Sequence, residues 1–402
     1  MPEIGLLPYD VLSEIAEQLH DSKQALSAFA SSSRILHSAG KRQLFRRVNF
    51  KSGERLEQFI SLLEQSPNIA QWVNELSLVV RDRDTIHALS MTSSHWAFHA
   101  LKVLPDMLPQ MRTLEIHGLH LIHNTLSSAL ASHFSKCTAA RNIGLFGCYF
   151  PKSFLQQVVS VLPNLSNLQL MNVVLLRDSQ PYDLQTASDA RLRSIECSGF
   201  TAGQAEEFIT WMLTATSVAD TLRSVTLHEN GMDVSRKLIP LLGSTLERLS
   251  VVTPDDHDNS VHHIDLSRST HIREIGFKCT RLSDVLHILN RLPCPDALQT
   301  LSYTMSMRDL DPLKDAEMRR LDSYLSRHCT SLKRFTLRCH HSDDGSSEKK
   351  LRSLLSTSSA SDILNLMILG DVNIIKTCDA PVRKLQECVP VYHYGFPNMR
   401  YH

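Results

Sequence analysis

This 402-residue chain has no surplus of charge: 42 Lys and Arg balance 42 Asp and Glu. A protein that binds nucleic acid through its backbone normally carries a basic excess, so that class is disfavoured. Glycine is scarce, with 14 residues. Neither G-x-x-x-x-G-K-[ST] nor G-x-G-x-x-G occurs, so no phosphate cradle of either kind is expected. H-E-x-x-H and G-x-S-x-G are absent as well, which removes the usual zinc-protease and serine-hydrolase readings. No apolar run approaches the length that spans a bilayer, and the opening MPEIGLLPYD is not a charged-then-apolar leader. The nine cysteines are odd in number and contain no C-x-x-C. Free thiols in a reducing compartment, cytoplasm or nucleus, are expected rather than a disulfide framework.

What remains is a globular composition, 42% hydrophobic, with two organised features. The first is the stretch from Leu6 to Val48. Pro8 stands where a helix would begin, since its missing N–H costs nothing in a first turn. Val11, Leu12, Ile15, Ala16 and Leu19 then follow the three-and-four spacing of one helix face. Asp21 or Ser22 can cap a second helix whose face is Ala25, Leu26, Phe29 and Ala30. A third short segment ends in Leu44, Phe45 and Val48. Three helices this short leave apolar surface that a partner would cover.

The second feature is a recurring six-residue pattern, apolar-x-x-apolar-x-apolar. It runs Val73–Leu78, Met111–Ile116, a degenerate Ala140–Leu145, Leu165–Leu170, Leu192–Cys197, Leu222–Leu227, Leu246–Val251, Ile272–Phe277, Leu298–Tyr303, Leu332–Leu337 and Ile363–Ile368. The mean step is about 29 residues, inside the range of roughly 20–50 that marks repeat architectures. The apolar-polar-apolar triplet reads as a strand with one face on a core and one in water. Amphipathic helices are expected between the strands: over Glu54–Gln65, after Pro151, after the capping-box pair Thr201 and Gln204, from Leu282 to Leu289, and from Leu313 to His328. One unit cannot bury both faces alone, whereas stacked neighbours can. A globular domain of parallel βαβ units would show the same local periods.

The first stretch resembles the F-box. The matching residues are Leu7-Pro8, Asp10, Leu12 to Ile15, Leu19, Leu26, Phe29 and Leu44-Phe45-Arg46, and the Leu-Phe-Arg ending is similar to that of fungal members. The middle of the pattern departs, because Ala30–Ile35 holds no aromatic. The recurring units resemble irregular leucine-rich repeats of the long, helix-containing kind. An asparagine in the register of that family falls only at Asn230, while Asn172, Cys279 and Cys339 arrive one residue early.

These resemblances imply an α/β chain in three parts. Residues 1–50 are an F-box domain of three helices. Residues 51–375 are a leucine-rich-repeat-like solenoid, a horseshoe with parallel strands on the concave side and helices on the convex side. Residues 376–402 are a C-terminal cap and tail, with a short helix near Val382 to Cys388. The implied function is substrate recognition for a Skp-cullin-F-box ubiquitin ligase. Leu7, Pro8, Leu12, Ile15, Leu19 and Leu26 would bind the Skp adaptor, and through it a cullin ligase. Phe29, Leu44 and Phe45 would hold the small domain together. An unknown target protein would meet the water-facing strand positions Glu115, Gln169, Glu196, Thr226, Ser250, Ser302 and Thr336, or the loops after Asp178 and His340. The alternative is a repeat-built interaction scaffold without ligase association.

No catalytic residue set, cofactor or metal is expected, and no membrane contact. Asp255, Asp256, His257, Asp258, His262 and His263 have ligand chemistry but fit no known cage, so a solvated loop is expected. Cys329 with Cys339, His340 and His341 reads as ordinary repeat positions. Arg34, Lys41, Arg42, Arg46, Arg47 and Lys51 form a basic cluster, read as a solvated, partner-facing edge rather than a nucleic-acid patch.

Overall fold

Alternation of apolar and polar residues at a fixed offset from a buried anchor builds parallel sheets here, one strand per unit. The computed structural model describes residues 8–19, 22–80, 95–121, 124–176, 191–199, 202–215, 217–228, 232–253, 264–278, 280–306, 312–341, 352–355 and 364–370. They belong to two bodies, residues 1–246 and 247–402.

The first body opens with three helices, α1 (Tyr9–Gln18), α2 (Lys23–Ser32) and α3 (Arg34–Arg46). Pro8 occupies the N-cap of α1. Ser22 caps α2 by accepting from the Ala25 N–H at 3.2 Å, and Ser33 caps α3 by accepting from Leu36. Such caps satisfy backbone donors that a helix start leaves open. Without a linker, α3 runs into β1 (Arg47–Phe50), which pairs in parallel with β2 (Glu75–Val79). A sheet strand therefore lies within the stretch 1–50.

After β1 come α4 (Gly53–Gln65), β2, α5 (Trp96–Met107), β3 (Thr113–His117), α6 (Asn124–Phe134) and β4 (Asn142–Phe146). Then follow β5 (Tyr149–Pro151), α7 (Lys152–Val161), β6 (Asn167–Met171), β7 (Val174–Leu176), β8 (Ser194–Cys197) and α8 (Ala202–Ala215). The short α9 (Val218–Thr221), β9 (Ser224–His228) and α10 (Met232–Leu242) complete this body. Its main sheet has the order β1-β2-β3-β4-β6-β8-β9, and β5 pairs with β7 beside it. Neighbouring helices pack in sequence: α4 on α5, α5 on α6, α6 on α7.

The second body contains β10 (Arg248–Val252), β11 (Glu274–Lys278), α11 (Leu282–Leu289), β12 (Thr300–Ser306), α12 (Pro312–His328), β13 (Arg334–His341) and β14 (Leu364–Gly370). These five strands pair in parallel in chain order. The fold is thus mixed α/β, with parallel strands joined by helical crossovers.

Register follows the pattern residue by residue. Leu76, Leu114, Ile143, Leu168, Ile195 and Val225 are direct partners across six strands, as are Leu249, Ile275, Leu301 and Phe335 in the second body. All ten are buried, and so are the anchors from Val73 to Leu332 that precede them by three residues. The last strand departs from this alignment. Phe335 pairs with Leu364 and Leu337 with Leu366, two residues earlier than the pattern at Ile363–Ile368 sets. Leu364, Leu366 and Ile368 alternate with period two, so a slip of two keeps every side chain on its face.

The helices expected at Glu54–Gln65, after Pro151, at Leu282–Leu289 and at Leu313–His328 are α4, α7, α11 and α12. Helices α5, α6 and α10 are additional to those expected. Gln204 donates to the Leu175 carbonyl at 2.8 Å, while its capping partner Thr201 lies outside the described residues. Asn172 has φ 54°, matching Gly118 (73°) and Gly147 (59°) at the residue after β3 and β4. Its place one residue early is a left-handed turn position, which asparagine tolerates better than other side chains with a Cβ.

A backbone motif ties each strand's first turn to the next. The Asn74 carbonyl accepts from both Arg112 N–H (2.8 Å) and Thr113 N–H (3.0 Å). Arg112, Arg141, Ser166 and Arg193 repeat this double acceptance in the first body, and Glu247, Arg273 and Gln299 repeat it in the second.

Candidate functional site

Two surfaces stand out, the N-terminal helices and the outward sheet faces. Among the helices, Leu12 (2% exposed) and Leu26 (1%) are core residues, clustered with Ala16, Leu36 and Ala39. Leu19, Phe29 and Leu44 pack against that cluster while remaining partly accessible. Phe45 turns toward Trp72, ring centres 6.5 Å apart. Pro8 is exposed, and Ile15 is 38% exposed. Leu7 lies outside the described residues. Of the expected adaptor contacts, then, two leucines are internal, Leu19 is half-buried, and Pro8 and Ile15 face water. Tyr9 (48%) and Ile35 (52%) are exposed large apolar side chains that the sequence reading did not select. Arg46 of the basic cluster is paired with Glu17 at 2.7 Å, and Arg47 with Glu75.

The expected target-facing positions do line up, but Thr336, expected to face water, is buried at 8% exposure. In the first body Asn49, Ser77, Glu115, Gly144, Gln169, Glu196 and Thr226 are register partners on consecutive strands. In the second body Ser250, Gly276, Ser302 and Thr336 form the equivalent row, continued by Asn365. The row in the first body is chemically organised. Glu196 accepts from the Gln169 amide at 2.9 Å and lies 2.8 Å from the His228 ring nitrogen. Glu115 lies 3.7 Å from the His117 ring nitrogen. The His117 ring stacks on Phe146 at 4.5 Å with a 10° interplanar angle.

Gly144 makes room for that stack. A Cβ there would lie 2.5 Å from Phe146 Cε2. The glycine, degenerate in the sequence pattern, therefore lets an aromatic ring lie across the water-facing side of the sheet. Phe146 stands outside the apolar-x-apolar triplet, and at 8% exposure it is a buried support for the His117 ring rather than a contact side chain.

Four buried thiols are chemically suppressed. Burial pushes Cys137, Cys148 and Cys329 up to about 12 and raises Cys197 further. Such thiols are protonated at neutral pH and are neither nucleophiles nor ready metal ligands. Among the described residues no group of three or more His, Cys, Asp or Glu could hold a metal. No helix of the described residues is long and apolar enough to cross a membrane. The loop with Asp255, Asp256, His257, Asp258, His262 and His263, most of the loops after Asp178 and His340, and the expected cap at 376–402 lie outside the described residues.

The arrangement places polar side chains in register on consecutive strands. No protein-family model matches the chain, and no curated protein matches it.

Proposed function

We propose that this chain is the substrate-recognition adaptor of a Skp-cullin-F-box ubiquitin ligase. In this reading residues 1–50 are the F-box, and the strand-and-helix units behind it form a leucine-rich-repeat-like solenoid that holds a target protein. The observation that carries the proposal is the N-terminal arrangement. Three short helices share a small core of Leu12, Leu26 and Leu36, leave Pro8, Tyr9, Ile15 and Ile35 toward water, and lead directly into the first strand. Large apolar side chains left exposed on so small a helical unit are the kind of surface a partner covers.

The mechanism is proximity. Holding target and ligase together raises their effective concentration without chemistry in this chain. The adaptor contact is centred on Pro8, Ile15 and Leu19, with Leu12 and Leu26 fixing the helices behind them. Each large side chain newly buried contributes roughly 1.5–3 kcal/mol. The target lies along the rows that include Glu115, Gln169, Glu196 and Thr226 in one body and Ser250 and Ser302 in the other, with the buried Thr336 supporting the second row from within.

The test is co-purification of the full chain with the Skp adaptor of the same organism, beside a Pro8→Ala, Ile15→Asp variant. Retention by the wild type and loss by the equally folded variant supports the ligase role. A folded wild type that never retains the adaptor removes it, and leaves a repeat-built interaction protein.

A further inference from the structure

The strand starts of the first body carry a row of cations. The residue after each buried anchor is Arg112 before β3, Arg141 before β4, Ser166 before β6, Arg193 before β8 and Arg223 before β9. The double-acceptor backbone motif locks these five positions side by side: Arg112 O takes the Arg141 N–H, Arg141 O that of Ser166, Ser166 O that of Arg193, and Arg193 O that of Arg223. At about 4.8 Å per strand, the row is about 19 Å long.

The side chains are available. Arg112, Arg141 and Arg193 are exposed. None of the three makes an ion pair or side-chain hydrogen bond among the described residues, whereas Arg46, Arg47 and Arg248 of the same chain each pair with a glutamate. Arg223 is half-buried and donates to the Thr245 carbonyl at 3.2 Å. Ser166 turns its hydroxyl back to the Arg141 carbonyl, leaving its place in the row uncharged.

No acid of the sheet neutralises the row. Its first neighbours on the strands are Thr113, Asn142, Asn167, Ser194 and Ser224, all uncharged. Glu75, the register partner of Thr113, is paired with Arg47 at the first-strand end of the sheet, and further along the strands Glu115 and Glu196 have His117 and His228 beside them. Lined-up like charges repel one another, and an anion laid across them removes that cost.

We propose that this edge binds an extended acidic segment of a partner protein. A guanidinium presents two parallel N–H donors that match a carboxylate, which favours arginine over lysine for this task. An extended peptide advances about 3.3 Å per residue, so roughly six residues cover the row and alternate side chains fall on one side. Single-stranded nucleic acid is the competing polyanion. Its binding surfaces stack bases on aromatic side chains beside the cations, and the five residues next to the row include none. The proposal goes beyond the ligase reading and holds whether or not the N-terminal helices bind an adaptor.

The experiment uses the full chain and a fluorescent peptide of about a dozen residues alternating Glu and Ser, followed by anisotropy at low and at physiological salt. The wild type binds it and does not bind the matching Lys–Ser peptide. The Arg112→Gln, Arg141→Gln, Arg193→Gln variant binds about tenfold more weakly, the size that three exposed charge contacts can supply together. An Arg319→Gln, Arg320→Gln, Arg327→Gln variant, which removes the same charge from exposed positions on α12, binds as the wild type does. The proposal is overturned if the Lys–Ser peptide binds equally well, or if the first variant and the wild type bind alike. It is also overturned if an oligothymidine of similar length binds the wild type more tightly than the acidic peptide.

Discussion

Replacing Leu12 by alanine separates a core residue from a contact residue. Leu12 sits among Ala16, Leu26, Leu36 and Ala39 with 2% of its surface exposed. Deleting its isopropyl group forfeits the transfer energy of three buried carbons and leaves a cavity. Two of the four neighbours are already alanines and cannot swing in to fill it. The expected cost is about 3 kcal/mol, in the middle of the range for buried leucines. A three-helix unit this small holds little reserve, so the loss appears as opening of residues 9–46 while the sheets persist. Hydrogen exchange read by mass spectrometry resolves this: amides of α1 to α3 lose protection by about two orders of magnitude, and those of β3 to β9 do not. Ile15→Ala, at a position 38% exposed, costs less than about 1 kcal/mol and leaves exchange nearly unchanged. The reasoning fails if Leu12→Ala leaves α1 to α3 protected and yet abolishes adaptor retention, for then Leu12 would be a contact and not a core residue.

Other consequences follow from the sheets. Gly144→Val forces the Phe146 ring off its stack on His117, because even a single Cβ lies 2.5 Å from the ring edge; thermal unfolding should register a loss of about 1–3 kcal/mol. Asn172→Ala puts an alanine at φ 54° and should cost about 1 kcal/mol, whereas Asn172→Gly should be neutral or better by urea titration. The buried thiols make stability fall in alkali. Their folded-state values of about 12 lie above the ordinary 9.0 for Cys137, Cys148 and Cys329. The stabilisation is therefore complete below pH 9 and is lost as pH rises toward 12, when the unfolded state ionises first. A urea midpoint that stays constant across that window would contradict the burial. The same thiols should resist a disulfide-exchange reagent in the native protein and react fully in guanidinium.

The sheet was the most legible part of the sequence. Hydrophobic alternation is a direct record of which side of a strand meets the core, and ten anchors and the two apolar residues of each of their triplets are buried as expected. The first strand was legible but unread: Phe45-Arg-Arg-Val48-Asn-Phe50 is the same six-residue pattern, one unit earlier than Val73. It was absorbed into the third helical segment because Leu44 and Phe45 also fit a helix face. Helices α5 and α10 carry Pro105 and Pro240 inside them, which local reading takes as a break. The candidate sites were harder. Local spacing placed Leu12 and Ile15 on one helix face, but only packing of the second and third helices sends one inward and leaves the other in water. The arginine row was visible as letters, Met111-Arg, Ala140-Arg, Leu192-Arg and Leu222-Arg. That these letters become neighbours depends on register between strands, which no local window contains.

The double-acceptor motif at the strand starts divides labour between main chain and side chain. At Arg112, Arg141 and Arg193 it is the carbonyl and the amide nitrogen, not the guanidinium, that join one strand's start to the next. The only residue the motif forbids is proline, which has no N–H to give. Any other side chain can stand there at no expense to the architecture. A lineage carrying this frame can therefore rewrite the text along that edge, exchanging arginine for acid, amide or aromatic, and acquire a new partner while the sheet beneath it stays the same.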